Sequence, residues 1–288
     1  MKVISTHSHL LESPREIEKL VEAELFDNIW VLELPTSIKI HYNNTVMYPA
    51  SPAEMLDAAK LFPGFILPFK WIDYRQGAEQ IDRAVEAGYV GFKGFCPQKP
   101  YDNDDYMAIY EKINDYKSCI VFHTGHVSTP PYPDRSPELS YDVQNMTPSN
   151  LYKIARFFPD MTVVAAHCGV PFQHELISNA LLNTPNYYMD FSGGSFALVL
   201  REFIEKNASL PAVKRDGTRG IFADKLLYGA DAYLGDAALH SDIIDDCRKG
   251  LAWKEQCEAR NLSWSKSVSA LFYDNAALLN RMNKLICS

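Results

Sequence analysis

The chain lacks the features that mark nucleic-acid-binding, secreted and membrane-spanning proteins. Its 28 Lys and Arg residues are scattered and outnumbered by 36 Asp and Glu, so the formal net charge is −8 and binding to nucleic acid is disfavoured. No apolar run approaches the length that spans a bilayer. The opening "MKVISTHSHLLES" is too short in its apolar part, and too interrupted by histidine, for a signal peptide. We therefore expect a soluble, cytoplasmic protein that binds neither nucleic acid nor membrane.

Cysteine pairs at metal-binding spacing are also missing. The six cysteines are widely spaced and form no C-x-x-C pair, so we expect reduced, mostly buried thiols. The sequence has no low-complexity tract and no inter-domain linker. Because 47% of its 288 residues are hydrophobic, the chain can fill one large core. These observations predict a single domain over residues 1–288.

What the sequence does have is an alternation of short apolar runs with longer helical patterns. The runs are rich in Val, Ile, Tyr and Phe, and many end in Gly or a polar residue, as fully buried parallel strands do. Eight such runs occur, in the order "KVISTHSHL", "IWVLEL", "GFILPFKWI", "GYVGFKGF", "CIVFHTG", "TVVAAHCG", "YYMDFSGG" and "LLYGADA".

The helical segments between these runs carry start and stop signals. Ser13 and Ser51 each precede Pro, with Glu three residues after the Ser, which is a capping box with a pre-set first turn. Thr147 begins a third segment with Thr-Pro, and Gly88 ends a fourth. Eight alternations predict an α/β protein with the (β/α)8 TIM-barrel fold. A doubly wound open sheet is the alternative, but its G-x-G-x-x-G after the first strand is absent.

Histidine and aspartate stand at the ends of several predicted strands. His7 and His9 are two residues apart on the first strand, so their side chains point to the same face. His123 ends the fifth strand, His167 the sixth and Asp231 the eighth. The strand ends of a barrel meet at one face, and imidazole with carboxylate suits zinc. A lone histidine after an apolar run is more commonly a hydrogen-bonded core residue, so the prediction of a site depends on the ordered set.

This order of motifs resembles the amidohydrolase superfamily over essentially the whole chain. The stretches that carry the resemblance are "THSHL", "GFKGF", "VFHTGH", "FFPDMTVVAAHCG", "LLYGADA" and "ALFYDNAALLNRM". More narrowly, they are similar to the amidohydrolase-related family that includes aminocarboxymuconate-semialdehyde decarboxylases and pyrone-dicarboxylate lactonases. Many members have Asp before the His-x-His, where this chain has Ser5.

The resemblance implies a barrel with a divalent metal, usually zinc, with manganese as another candidate. By that resemblance the metal ligands are His7, His9, His123 and Asp231, and the catalytic groups are His167 and Asp231. In binuclear members of the superfamily a carbamylated lysine on the fourth strand bridges two metals. Lys93 lies on the fourth predicted strand, and its other interpretations are a substrate contact or a structural cation. We expect one metal per chain, or two if Lys93 is carbamylated.

The longest connection follows the fifth predicted strand, and its length indicates a functional loop. His126, Tyr132, Asp134 and Arg135 are its candidates for substrate contact. An arginine can bind a carboxylate through two hydrogen bonds, and a solvated surface arginine is the alternative. Trp71, at the end of the third predicted strand, either lines the mouth of the site or packs in the core.

These features predict an enzyme acting on a small molecule. The first hypothesis is a metal-dependent hydrolase that uses a metal-activated water on a C–N or C–O bond, in an amide or a lactone. The second is a decarboxylase of a small aromatic or muconate-like carboxylic acid that uses the same metal site. The third is a non-catalytic barrel that keeps the site for stability or ligand binding. A homodimer is the assembly to consider first, since symmetric dimers are the commonest.

Overall fold

The computed structural model describes residues 1–11, 17–42, 45–127, 135–169, 172–192, 197–235, 237–262 and 264–287. All eight apolar runs contribute strands to one parallel sheet, as the sequence predicts, and the α/β class is confirmed. The strands are β1 (Val3–Leu10), β2 (Phe26–Leu32), β3 (Ile40–Tyr42), β4 (Thr45–Met47), β5 (Ile66–Trp71), β6 (Gly91–Gly94), β7 (Cys119–Phe122), β8 (Thr162–Ala165), β9 (Tyr187–Asp190), β10 (Pro211–Val213), β11 (Arg219–Ile221), β12 (Leu226–Leu227) and β13 (Ala232–Leu234).

The main sheet has nine strands in the order β12-β9-β8-β7-β6-β5-β2-β1-β13. Two short antiparallel pairs, β3–β4 and β10–β11, lie outside it. The helices are α1 (Ile17–Glu22), α2 (Pro52–Leu61), α3 (Glu79–Ala87), α4 (Met107–Asp115), α5 (Asn150–Phe157), α6 (Gln173–Leu176), α7 (Asn179–Leu182), α8 (Ala197–Asn207), α9 (Ala237–Ala259), α10 (Ser265–Phe272), α11 (Asp274–Met282) and α12 (Lys284–Cys287).

The eighth predicted strand differs from expectation, because it is two short strands at opposite edges of the sheet. β12 pairs with β9, whereas β13 pairs with β1. The ladder breaks between them, where Asp231 adopts a left-handed backbone with φ of 51°. The intervening backbone still contacts β1, since Thr6 N donates to Tyr228 O over 2.8 Å and Asp231 N donates to His7 O over 2.8 Å.

Both faces of the sheet are buried, which explains the near-continuous apolar runs. Along β7, Val121 faces one hydrophobic cluster, while Ile120 and Phe122 face another. The first cluster contains Trp30 and Phe69, whose rings stack with centroids 4.8 Å apart. Because successive side chains point to opposite faces, a strand such as β7 supplies both clusters.

The helix signals are confirmed in part. The Ser51 hydroxyl accepts from Glu54 N, and the Glu54 carboxylate accepts from Ser51 N, so the predicted capping box forms. Gly88 ends α3 with φ of 105°, a left-handed conformation that glycine adopts without strain. The third segment begins later than predicted, at Asn150, because Thr147 stays extended and a short turn precedes the helix. Ser13 lies outside the described residues.

The structure also bears on the predictions about cysteine and about membrane-spanning segments. Cys96, Cys119, Cys247 and Cys257 are free and buried, as expected of reduced thiols. Within the described ranges, no helix is both long enough and apolar enough to cross a membrane. That the whole chain forms a single domain stays a prediction.

The capping box gives a test of local stability. We expect Ser51→Ala to lower the free energy of unfolding by about 1 kcal/mol, since the Glu54 amide loses its side-chain acceptor. Ser149→Ala is the matched control, because Ser149 precedes α5 without a side-chain cap hydrogen bond among the described residues. Urea denaturation of the three proteins measures the difference. Equal losses in both variants would contradict the capping role of Ser51.

Candidate active site

The predicted site residues lie at one edge of the sheet. Because all nine strands are parallel, their carboxyl ends meet there. The five ligand or catalytic candidates and Lys93 all lie in the carboxyl-terminal half of a strand or after its end. They are His7 and His9 in β1, Lys93 in β6, His123 after β7, His167 after β8, and Asp231 between β12 and β13. The structure therefore brings together residues that are up to 224 positions apart, from His7 to Asp231.

His7 and His9 converge on one carboxylate oxygen. The Nε2 atoms of both rings lie 3.5 Å from Asp231 Oδ1. Their Nδ1 atoms face acceptors on the other side, which are Asp190 Oδ2 at 3.0 Å from His7 and Leu32 O at 2.7 Å from His9. An imidazole that donates through Nδ1 keeps a lone pair on Nε2, so both lone pairs point towards Asp231.

His167 joins this group directly, and His123 contacts it through His167. The Nδ1 atom of His167 lies 3.8 Å from Asp231 Oδ2, and possible ligand atoms of His7, His167 and Asp231 all lie within 4.8 Å of one another. His123 Nδ1 is 3.0 Å from His167 Nε2, and its own Nε2 is 3.2 Å from the carbonyl oxygen of His126. The role of His123 as a metal ligand stays a prediction.

Two of these side chains project from a left-handed backbone. His167, in the turn Ala166–Gly169, has φ of 60°, and Asp231 has φ of 51°. Non-glycine residues seldom adopt this conformation, and where they do so the surrounding structure must hold them. At His167 part of that support is a hydrogen bond from its backbone N to Asp190 Oδ1, 2.9 Å long.

Sequence reasoning missed Asp190 and Ser192, which lie behind the histidines. Asp190 ends β9 and is fully buried. It contacts His7 and the backbone of His167, and it accepts hydrogen bonds from the backbone N and the hydroxyl of Ser192. The signal was present in "YYMDFSGG", where an acidic residue ends an apolar run in the same way as the predicted ligands do.

Burial and charge set the protonation states of the group. Burial, with the charge of Lys93 second, lowers the pKa of His7 well below its usual value. Burial likewise lowers the pKa of His123 and of His167. Burial opposes ionisation of Asp231, but the histidines around it outweigh that effect and lower its pKa. Burial therefore favours the neutral imidazole at His7, His123 and His167, beside an Asp231 carboxylate that stays ionised.

Lys93 is a buried cation at the same edge. Its Nζ lies 3.3 Å from His7 Nε2. Burial lowers the pKa of Lys93 to about 8, against the opposing charges of Asp190 and Asp231. Trp71 pairs in register with Lys93 on the neighbouring strand. Its indole Nε1 is buried and has no hydrogen-bond partner among the described residues.

The candidates for substrate contact in the loop after β7 are not part of the histidine cluster as far as the structure describes them. His126 is exposed, and its contact with the site is its backbone carbonyl, which accepts from His123. Arg135 lines a cavity of about 420 Å³ together with Gln98 and Tyr141. This cavity adjoins the end of β6, since Ser140 N donates to Cys96 O over 3.0 Å. Tyr132 and Asp134 lie outside the described residues, and contact of the four loop candidates with substrate stays a prediction.

The donor set fits a divalent metal ion. Zinc and manganese accept imidazole nitrogen and carboxylate oxygen. His7 and His9 direct their Nε2 atoms towards Asp231, and each ring is held from behind by an acceptor, as metal-binding histidines commonly are. The residues present are therefore of the right type for the predicted ion.

Comparison with known proteins assigns the family. Residues 43–277 match the amidohydrolase family, so the chain belongs to it, and it is an amidohydrolase-family enzyme. The resemblance of the motifs to this superfamily is thereby confirmed. The matched range begins after β1, so it does not include His7 and His9. Among curated proteins, no sequence matches the chain.

Solved structures of similar fold include both hydrolytic and decarboxylating enzymes. An uncharacterised TIM-barrel protein from Bordetella bronchiseptica has a TM-score of 0.68 at 15% identity, covering 98% of this chain and 99% of its own. The 2,6-dihydroxybenzoate decarboxylase from Rhizobium has a TM-score of 0.58 at 14% identity, with 99% of each chain covered. A probable 2-pyrone-4,6-dicarboxylic acid hydrolase from Acinetobacter baumannii has a TM-score of 0.58 at 12% identity, covering 97% and 99%. At these identities the likeness concerns the fold.

Close packing around His7 gives a test of the site's construction. A Cβ atom added at Gly229 would lie 2.7 Å from His7 Cβ and 3.0 Å from Ser192 Cβ. We expect Gly229→Ala to push His7 out of place and to lower the free energy of unfolding by about 1–3 kcal/mol, the usual cost of overpacking. Chemical denaturation measures this loss.

Gly77→Ala is the control for the same substitution elsewhere. Its added Cβ would meet only the carboxylate end of Glu79, an exposed side chain that can move aside. We expect the stability of this variant to stay within about 1 kcal/mol of the parent. A Gly229→Ala protein as stable as the Gly77→Ala protein would contradict the tight packing of His7 against Gly229.

Proposed function

We propose that this protein is a metal-dependent hydrolase that uses water to cleave a C–N or C–O bond, in an amide or a lactone, of a small-molecule substrate. The observation that carries the proposal is the convergence of His7 Nε2 and His9 Nε2 on Asp231 Oδ1. Membership of the amidohydrolase family supports it. His7, His9 and Asp231 would hold the ion together with an imidazole of the His123–His167 pair.

A bound zinc or manganese ion supplies Lewis-acid activation of water and of the substrate carbonyl. The remaining chemistry falls to side chains of this protein. Asp231 is ionised, so its carboxylate can take the proton of the attacking water as the oxygen bonds to the acyl carbon. His167 can hydrogen-bond the substrate carbonyl or deliver a proton to the leaving nitrogen or oxygen as that bond breaks.

His123 and Lys93 complete the proposed assignments. His123 lies 3.0 Å from His167, so it can hold that ring in orientation or exchange a proton with it. Lys93 places positive charge beside His7 in a buried position. That charge suits an anionic group on the substrate, and a carbamylated Lys93 bridging a second metal is the other role proposed for it.

The same arrangement supports a second candidate, decarboxylation of a small aromatic or muconate-like carboxylic acid. The buried cation of Lys93 favours a carboxylate substrate, which either reaction can have. The neighbours of similar fold include both chemistries, so they favour neither over the other. Release of carbon dioxide distinguishes the two reactions.

We also propose that the sheet closes into a (β/α)8 barrel. β12 pairs with β9 and β13 pairs with β1, and β9 and β1 are the edges of the sheet formed by the other seven strands. Four residues separate β12 from β13 in the chain. Taken together they would count as the eighth barrel position. The hydrogen bonds from Thr6 N to Tyr228 O and from Asp231 N to His7 O support this closure.

Metal content tests the proposed centre. We expect about one zinc or manganese ion per chain in protein purified from medium containing both metals, measured by mass spectrometry against protein concentration. Two ions per chain that fall to one in Lys93→Met would assign Lys93 as a carbamylated bridge. One ion in both proteins would assign it to the substrate or to charge balance. A folded protein that binds neither metal would contradict the proposed centre.

Substitution of Asp231 tests the catalytic assignment. We expect Asp231→Asn to lower the rate of hydrolysis of a susceptible lactone or amide by about 10²–10⁴-fold, because an amide cannot take the proton from water. Asp245→Asn is the control, since Asp245 is exposed and pairs with Arg248 on α9, and its rate should be unchanged. A panel of lactones, amides and hydroxybenzoates, assayed for both hydrolysis and carbon dioxide, identifies the reaction. Carbon dioxide release without any hydrolysis would overturn the hydrolase proposal in favour of the decarboxylase.

A further inference from the structure

We propose that Asp190 is a positioning residue: it sets the tautomer of His7, so that this ring presents a lone pair to a metal ion, and it holds the backbone of His167, which keeps that ring beside Asp231. The inference rests on the proposed function, because positioning His7 and His167 matters only if the site binds a metal ion. The contacts of Asp190 from which it is argued do not involve the ion.

Asp190 is placed to contact both histidines at once. Its Oδ2 lies 3.0 Å from His7 Nδ1. Its Oδ1 accepts from the backbone N of His167 at 2.9 Å and of Ser192 at 3.1 Å, and the Ser192 hydroxyl also donates to it. One fully buried carboxylate therefore joins β1, the turn after β8 and the end of β9.

The acceptor character of a carboxylate determines the tautomer of His7. The Asp190 carboxylate accepts in its contacts with His167 N, Ser192 N and the Ser192 hydroxyl, so we assign the hydrogen of the 3.0 Å contact to His7 Nδ1. The other ring nitrogen, Nε2, is then the unprotonated one. It is this atom that lies 3.5 Å from Asp231 Oδ1 and 3.3 Å from the ammonium of Lys93, which is a donor. Of these two neighbours, the Lys93 ammonium favours the same tautomer as Asp190 does, whereas the Asp231 carboxylate is itself an acceptor.

The second contact of Asp190 supports an unfavourable backbone. His167 has φ of 60°, and its N–H donates to the Asp190 carboxylate. Loss of that acceptor would leave a buried N–H group unpaired in a conformation that already costs free energy. Asp190 thus positions His167 through the main chain and His7 through the ring.

His9 shows the same arrangement with a different acceptor. Its Nδ1 lies 2.7 Å from the carbonyl oxygen of Leu32, and its Nε2 faces Asp231. A main-chain carbonyl cannot be changed by substitution, whereas the Asp190 carboxylate can. Asp190 is therefore the point at which the orientation of the histidines can be tested.

Asp190→Asn changes the acceptor pattern and keeps the size of the side chain. If the amide NH2 faces His7, two donors meet unless His7 moves its hydrogen to Nε2 and loses the lone pair that faces Asp231. If instead the amide oxygen faces His7, the NH2 group meets the N–H groups of His167 and Ser192. In either orientation the metal-binding geometry suffers, and we expect affinity for zinc to fall by about 10–100-fold.

The experiment measures zinc affinity by competition with a fluorescent chelator for the parent, Asp190→Asn and Asp224→Asn. Asp224 is the matched control, because its carboxylate also accepts from the backbone N–H of Ile221 and from the hydroxyl of Ser267. It lies before the amino end of β12, whereas the site lies at the carboxyl ends of the strands. The expected result is a loss of affinity in Asp190→Asn alone. Parent-like affinity in Asp190→Asn, or an equal loss in both variants, would overturn the proposal.

Nitrogen NMR of metal-free protein labelled with 15N-histidine provides a readout that needs neither metal nor activity. The His7 signals, assigned by their loss in His7→Gln, should report Nδ1–H in the parent, and Nε2–H in Asp190→Asn when the amide NH2 group faces His7. A parent His7 with Nε2–H would overturn the proposal even if Asp190→Asn fails to fold. A protein that binds no zinc but shows the tautomer change would overturn the proposed function and leave the effect of Asp190 on His7 intact.

Discussion

The parallel direction of the strands is the constraint on which the rest of the structure depends. Since every strand of the main sheet runs the same way, the chain has to return outside the sheet between successive strands from β1 to β12, and every strand delivers its carboxyl end to one edge. Polar residues that follow apolar runs are therefore collected in one place. The site arises from strand direction, and no single stretch of the chain contains it.

Collecting polar groups at a buried edge is costly, and around His7 and His9 the structure compensates by placing an acceptor at each Nδ1. Asp190 accepts from the ring of His7, two backbone amides and the Ser192 hydroxyl. The main-chain carbonyl of Leu32 accepts from the ring of His9. Burial lowers the pKa of His7 and of His167, while at Asp231 the histidines outweigh the opposing effect of burial and lower the pKa of its carboxyl. Neutral imidazoles beside an ionised carboxylate suit a divalent cation. Lys93 adds a positive charge next to His7 whether or not a cation is bound.

The elements that were predictable from sequence are those that local chemistry determines. The eight apolar runs identified the strands of the sheet, and "SPAEM" identified the start of α2, because a capping box is complete within four residues. The positions of His7, His9, His167 and Asp231 at strand ends followed from the same runs. Asp190 was missed because its partners are 23 and 183 positions away, so its role exists only after the strands have assembled.

Backbone conformation was the other source of error. The eighth run contains a left-handed residue, Asp231, that divides it into β12 and β13. Aspartate is one of the few non-glycine residues that visit this conformation, but its propensity does not indicate which aspartate will do so. His126 illustrates the same limit, since its contribution to the site is a carbonyl oxygen that any residue would supply. Sequence reasoning identifies side chains, but it has little access to contacts made by the main chain.

The contact between β1 and the segment that follows β12 has a consequence for how the protein acquires its site. Thr6 and Tyr228 are 222 positions apart, and their contact adjoins His7 and Asp231. During synthesis β1 leaves the ribosome well before its partner at Tyr228, with more than 200 residues made between them. Until Tyr228 is made, the edges of β1 and β9 have no strand from this segment beside them, and open edges are where chains associate wrongly. The nascent chain thus carries its histidines through a long stretch of translation before Asp231 exists to complete the group.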